Sequence, residues 1–91
     1  MKISSLFVLR SIAGENLLIP TGSAASRIQG LISLNETGVF LYEKLCAGCN
    51  CTELAEALCA EYDVCFAEAE SDAKAFVNQM RDLGIVVEDD V

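Results

Sequence analysis

The spacing of apolar positions changes near Asn35. Before it, apolar residues fall in short runs separated by turn residues. Ser5 to Ala13 (SLFVLRSIA) is apolar and β-prone, and Gly14-Glu15-Asn16 is a turn signal. Leu17 to Ile19 forms a second run, stopped by Pro20-Thr21-Gly22; proline has no N–H to donate and suits a strand end. Ser23 to Gln29 is small and polar and reads as a loop. Leu31-Ile32-Ser33-Leu34, framed by Gly30 and Asn35, reads as a third strand.

After Asn35 the period becomes helical. Asn35 is a suitable N-cap, and Gly38, Leu41, Tyr42 and Leu45 follow at i, i+3, i+4, i+7, with Gly48 placed to end the helix. Thr52 offers a cap for a second helix, with Glu53 in its first turn and Leu54, Ala55, Leu58 and Tyr62 on its apolar face. A third helix opens in the acidic run Glu68 to Asp72, because carboxylates suit the positive end of the helix dipole. Its core positions are Ala73, Phe76, Val77 and Met80, and Leu83-Gly84 closes it. Ile85 to Val87 adds a short strand or packs irregularly before the acidic tail Glu88-Asp89-Asp90. The expected class is α+β: three short antiparallel N-terminal strands followed by a three-helix bundle, with helices on one side of the sheet. The helix pattern is winged-helix-like. Three short strands leave open edges, which are a hazard unless covered or a docking site for a partner strand.

Composition narrows the function. The chain has 91 residues, which fits one domain spanning 1–91. Fourteen acidic residues against six basic ones give a formal charge of −8. That balance repels a phosphate backbone, and the third helix offers only Lys74 and Arg81 among acidic neighbours. A winged-helix DNA-binding regulator is therefore the weaker alternative, and nucleic acid is not an expected partner. Histidine is absent, which excludes a His-dependent triad or a Cys–His dyad within this chain. No apolar run approaches the roughly 18–20 residues of a membrane span, so no membrane partner is expected. Arg10 ends the N-terminal apolar run too early for a signal peptide, so the start reads as that of a mature cytoplasmic protein.

One cluster invites chemistry. Cys46-Ala-Gly-Cys49-Asn-Cys51 brings three thiols within six residues, and Cys59 is the remaining candidate ligand. A small thiolate metal-binding protein is thus a further alternative. The spacing is not a strong ligand signature, no histidine can complete a mixed site, and cysteine also serves as a small apolar residue around a helix turn. Five cysteines cannot all pair within the chain, and a reducing compartment with free thiols is the simpler reading. The carboxylates fall at helix starts and on exposed faces, and the glycines are spread singly, with no phosphate loop. The expectation is a protein that is not an enzyme and carries no cofactor.

Leu34-Asn-Glu-Thr-Gly-Val-Phe-Leu-Tyr-Glu-Lys-Leu45 resembles the LNxTGxxLYExL pattern of the PqqD-like family. Glu53-Leu54, Leu58 and Glu61-Tyr-Asp-Val64 resemble its second helix, and Asp72, Phe76-Val77 and Leu83-Gly-Ile85 its third, in order and spacing. Phe7 to Pro20 is compatible with its first two strands. The family's namesake acts in pyrroloquinoline quinone biosynthesis. Its relatives are RiPP recognition elements, peptide chaperones that hold the leader of a ribosomally made precursor for a modifying enzyme, often a radical SAM protein. The resemblance implies a non-catalytic adaptor whose leader peptide adds as an antiparallel strand on the third strand and rests on the third helix. Leu31, Ile32, Ser33 and Leu34 are then the receiving edge. Two flanks of the third helix are open to this role. Lys74, Val77, Asn78 and Arg81 form one, favoured for its cations, amide and apolar residue; Ala75, Gln79 and Asp82 form the other. The cysteine cluster is not something the family pattern requires.

Overall fold

The computed structural model describes residues 2–4, 6–27 and 30–87. The elements are β1 (Lys2–Ile3), β2 (Phe7–Ile12), β3 (Glu15–Pro20), α1 (Gly22–Arg27), β4 (Ile32–Leu34), α2 (Glu36–Cys46), α3 (Cys51–Tyr62), α4 (Phe66–Asp82) and β5 (Val86–Val87). The α+β class stands. A three-stranded antiparallel sheet in the order β2-β3-β4 is followed by the three longer helices.

The first hairpin turns at Ala13-Gly14 rather than at Gly14-Glu15-Asn16, since Glu15 and Asn16 pair with Ile12 and Ser11 inside the ladder. Both turn residues have positive φ, 52° at Ala13 and 82° at Gly14. This is the backbone sense that matches the right-handed twist of the flanking strands. Alternation then sorts the sheet into two faces. Phe7, Leu9, Leu18, Ile32 and Leu34 share the face that packs on the core. Ser33 pairs with Leu17 on the opposite face.

The stretch expected to be a loop at 23–29 contains a short helix, α1, through Arg27; Gln29 lies outside the described residues. Its composition hides the helix because, among its described side chains, only Ala24 reaches the core, where it is completely buried. Thr21 fixes the helix start: its N–H and its hydroxyl both donate to Leu6 O, at 2.7 and 3.0 Å.

Helix α2 begins as the sequence indicates, with Gly38 N–H donating to Asn35 Oδ1 at 2.7 Å. For α3 the cap is Asn50, not Thr52. Glu53 N–H donates to Asn50 Oδ1 at 2.8 Å, and Asn50 N–H donates back to Glu53 Oε1 at 3.0 Å. This reciprocal pair satisfies two donors at once, more than a lone threonine hydroxyl does. Helix α4 starts at Phe66, ahead of the acidic run, and buries Ala69, Ala73, Val77 and Met80 in the core, packing against α3 and β5.

Past Gly84 the chain forms β5, which pairs with β1 in a second, two-stranded sheet. Ile85 and Val86 there are almost fully buried. Ile85 to Val87 is therefore partly strand, and its partner β1 gave no signal in the sequence. Ser5 and the acidic tail from Glu88 lie outside the described residues.

Candidate functional site

Strand β4 is an edge. Among the described residues only β3 pairs with it in the sheet, and the backbone groups along its other side have no ladder partner there. Beside it, between β4, the start of α2 and the middle of α4, runs a groove of about 360 Å³. Ser33, Leu34 and Asn35 form its strand side. Thr37, Gly38 and Leu41 come from α2, and Asp72, Ala75, Phe76 and Gln79 from α4.

Local rules place each of these groups. The Asn35 cap turns the chain from β4 directly into α2, which brings Thr37, Gly38 and Leu41 alongside the strand they follow. Gly38 keeps this corner tight. A Cβ there would lie 3.3 Å from Asn35 Oδ1 and 3.4 Å from the Leu34 side chain. Asp72, Phe76 and Gln79 recur at helical spacing and so form one stripe on α4, flanking the buried Ala69-Ala73-Val77-Met80 face. Phe76 and Leu41 give the groove an apolar floor, while Ser33, Thr37, Gln79 and Asp72 give it polar walls. An open strand edge beside an apolar floor is suited to an extended peptide, with main-chain hydrogen bonds on one side and side-chain contacts on the other.

Of the residues singled out from the sequence, Ser33 and Leu34 line this groove. Ile32 is in β4 but packs against the core, and Leu31 lies just before the strand, 55% exposed. The helix side differs from the favoured flank. Lys74, Asn78 and Arg81 are exposed and do not line the groove, and Val77 is a core residue, 1% exposed. Lys74 Nζ lies 3.7 Å from a Glu70 carboxylate oxygen, and Arg81 Nη1 donates to Asn78 Oδ1 at 3.0 Å. The alternative flank supplies Ala75 and Gln79, together with Asp72 and with Phe76, which the periodicity had assigned to the core alone. The α2 contribution was also missed. Its available signal was Gly38, a glycine on a buried helical stripe, which marks close approach by another segment.

The cysteines lie elsewhere. Cys46 and Cys65 are exposed, and Cys49, Cys51 and Cys59 pack partly against the core. Among the described residues, no three Cys, Asp or Glu side chains are grouped so as to hold a metal ion. Tyr42, on the core side of α2, has its phenol pKa pushed up to about 12, chiefly by burial and secondarily by the Cys46 thiol one turn away.

No curated protein matches the sequence. Two solved structures share its fold. One is TbiB1 in complex with the TbiA(beta) leader peptide, at a TM-score of 0.79 and 24% identity, covering 100% of both chains. The other is lasso peptide synthetase B1 complexed with the leader peptide, at a TM-score of 0.78 and 21% identity, covering 96% of each. The family model for coenzyme PQQ synthesis protein D matches residues 8–86, from the first residues of β2 into β5. This span holds every element that builds the groove, and the chain belongs to the PqqD family.

Proposed function

We propose that this protein is a non-catalytic adaptor, one peptide-binding domain across 1–91, that holds the leader of a ribosomally made precursor peptide for a modifying enzyme. The observation that carries the reading is the open edge of β4 beside a groove with an apolar floor. The leader pairs as an antiparallel strand with Ile32 to Leu34 and rests its side chains on Leu41, Ala75, Phe76 and Gln79. The fold shared with two leader-peptide complexes supports a leader peptide as the partner. A radical SAM protein is the class of enzyme that fits the family. No described helix is long and apolar enough to cross a membrane, which is compatible with work in the cytoplasm. Titration calorimetry against the leader of a precursor encoded beside this protein tests the reading. Saturable binding is expected. An absence of both heat and chemical-shift change at millimolar peptide contradicts it.

A further inference from the structure

Among the described side chains, the charge around the groove is one-sided. Asp72 lines it, and among the described residues no cation pairs with that carboxylate. Glu68 precedes Asp72 by four residues and Asp82 follows Gln79 by three, so both extend the groove stripe of α4, and both are exposed. Glu36, also exposed, stands next to Thr37 at the start of α2. Among the described side chains, the cations lie elsewhere. Lys74 and Arg81 occupy the far flank of α4, engaged with Glu70 and Asn78. Lys44 sits 5.4 Å from the centre of the Phe40 ring, and Arg10 donates to its neighbour's carbonyl on the first hairpin. A groove that is negative within and around its rim raises the local concentration of positively charged ligands and repels negative ones.

We propose that the groove selects a basic extended peptide, one with a Lys or Arg side chain at Asp72 and an apolar side chain over Leu41 and Phe76. This specificity rests on the peptide-binding reading above. Geometry sets the spacing. Asp72 and Phe76 are one helical turn apart, about 6 Å along the axis. Alternate residues on a strand point to the same side and are about 6.6 Å apart. A peptide laid along α4 therefore meets both residues with a basic and an apolar side chain separated by one intervening position. The chemistry favours a cation over a neutral donor because a charge-assisted hydrogen bond is about twice as strong as a neutral one.

The test is selection of a displayed library of random dodecapeptides on the intact protein, on Asp72→Asn and on Asp72→Lys, with circular dichroism to verify folding. Enrichment of Lys or Arg two positions from an apolar residue is expected. Asp72→Asn should weaken a selected peptide about fivefold at low salt and much less once the Debye length falls to about 3 Å near 1 M salt. Asp72→Lys should shift the enriched residue at that position from basic to acidic. If peptides bind in the groove, as shown by weakening with Ala75→Phe, but carry no basic preference or keep it in Asp72→Lys, the specificity is wrong and the peptide-binding reading survives. If no peptide is enriched, or binding is indifferent to Ala75→Phe, the peptide-binding reading itself fails and the specificity goes with it.

Discussion

The two flanks of α4 differ in how their polar groups are used. On the far flank Lys74 pairs with Glu70 and Arg81 donates to Asn78, so these polar groups engage one another within the helix. On the groove flank Asp72 and Gln79 face a cavity and an open strand edge. One flank is a solvated helix surface, of the kind whose exposed ion pairs contribute about 0–1 kcal/mol. The other is the flank on which the proposed leader rests. A cation-rich flank is attractive in a sequence, but what matters for recognition is which flank the neighbouring strand faces.

If this contrast is right, changes on the groove side alter binding, and changes on the buried side alter stability. The largest effect is expected from pH acting on the buried side. Because Tyr42 has a raised pKa, the folded protein keeps a proton that the unfolded chain releases above about pH 10. Stability that is full below pH 10 should then fall as pH rises toward 12, by an amount of order 2 kcal/mol. Urea unfolding of the parent and of Tyr42→Phe across that range checks this: the parent should lose this stability as pH rises, and the variant, which has no phenol to titrate, should lack that part of the fall. Leader affinity at neutral pH should be the same in both.

Next is the strand edge. Ser33→Pro removes one β4 N–H and should weaken leader binding by about 1 kcal/mol or more, the scale of a lost hydrogen bond that leaves its partner unsatisfied. Ser33→Ala should be nearly silent. Circular dichroism must show both variants folded, and a folded Ser33→Pro and Leu31→Pro that both bind like the parent would remove β4 from the account.

A pair of variants sharpens the comparison between flanks directly. Ala75→Phe places a ring in the groove and should reduce leader affinity about tenfold, whereas Asn78→Phe on the far flank should change it less than about twofold, roughly 0.4 kcal/mol. Equal losses from both would erase the distinction. The smallest effect lies outside the groove, in the first hairpin. Ala13 sits at φ 52°, a region costly for a residue with a Cβ, and Asn tolerates it better. Ala13→Asn should raise stability by about 0.5 kcal/mol in denaturant unfolding and leave binding unchanged.

Much of this architecture is legible in the sequence because local rules write it there. The stripes Leu41-Tyr42-Leu45, Leu54-Ala55-Leu58 and Ala73-Val77-Met80 are buried as their helical spacing indicates. Asn35 caps α2 as its side chain allows. Errors arose where two local signals compete or where the cause is distant. Asn50 and Thr52 are both cap residues, and only the three-residue interval from Asn50 to Glu53 distinguishes them. Helix α1 shows a single buried alanine, too little for a periodic signal. Strand β1 exists through pairing with β5 at the other end of the chain, which no local window contains.

The site was legible in part for the same reason. β4 and its edge position follow from a short apolar run placed third among three strands. The flank of α4 facing it depends on the direction in which the chain leaves β4 through the Asn35 cap and the tight Gly38 corner. A helical wheel gives faces but not neighbours. Charge drew attention to Lys74 and Arg81, whereas the groove beside β4 is lined by Ala75, Phe76 and Gln79.

The central claim is that the leader lies between β4 and the groove flank of α4. Backbone amide shifts and amide hydrogen exchange of the isotope-labelled protein, followed during titration with a leader peptide, test it most directly. The account predicts saturable shifts at Ser33, Leu34, Gly38, Asp72, Ala75 and Gln79, with new exchange protection on the outward-facing amides of β4. Saturable shifts centred instead on Lys74, Asn78 and Arg81, or new protection along the β2 edge with β4 unchanged, would contradict it.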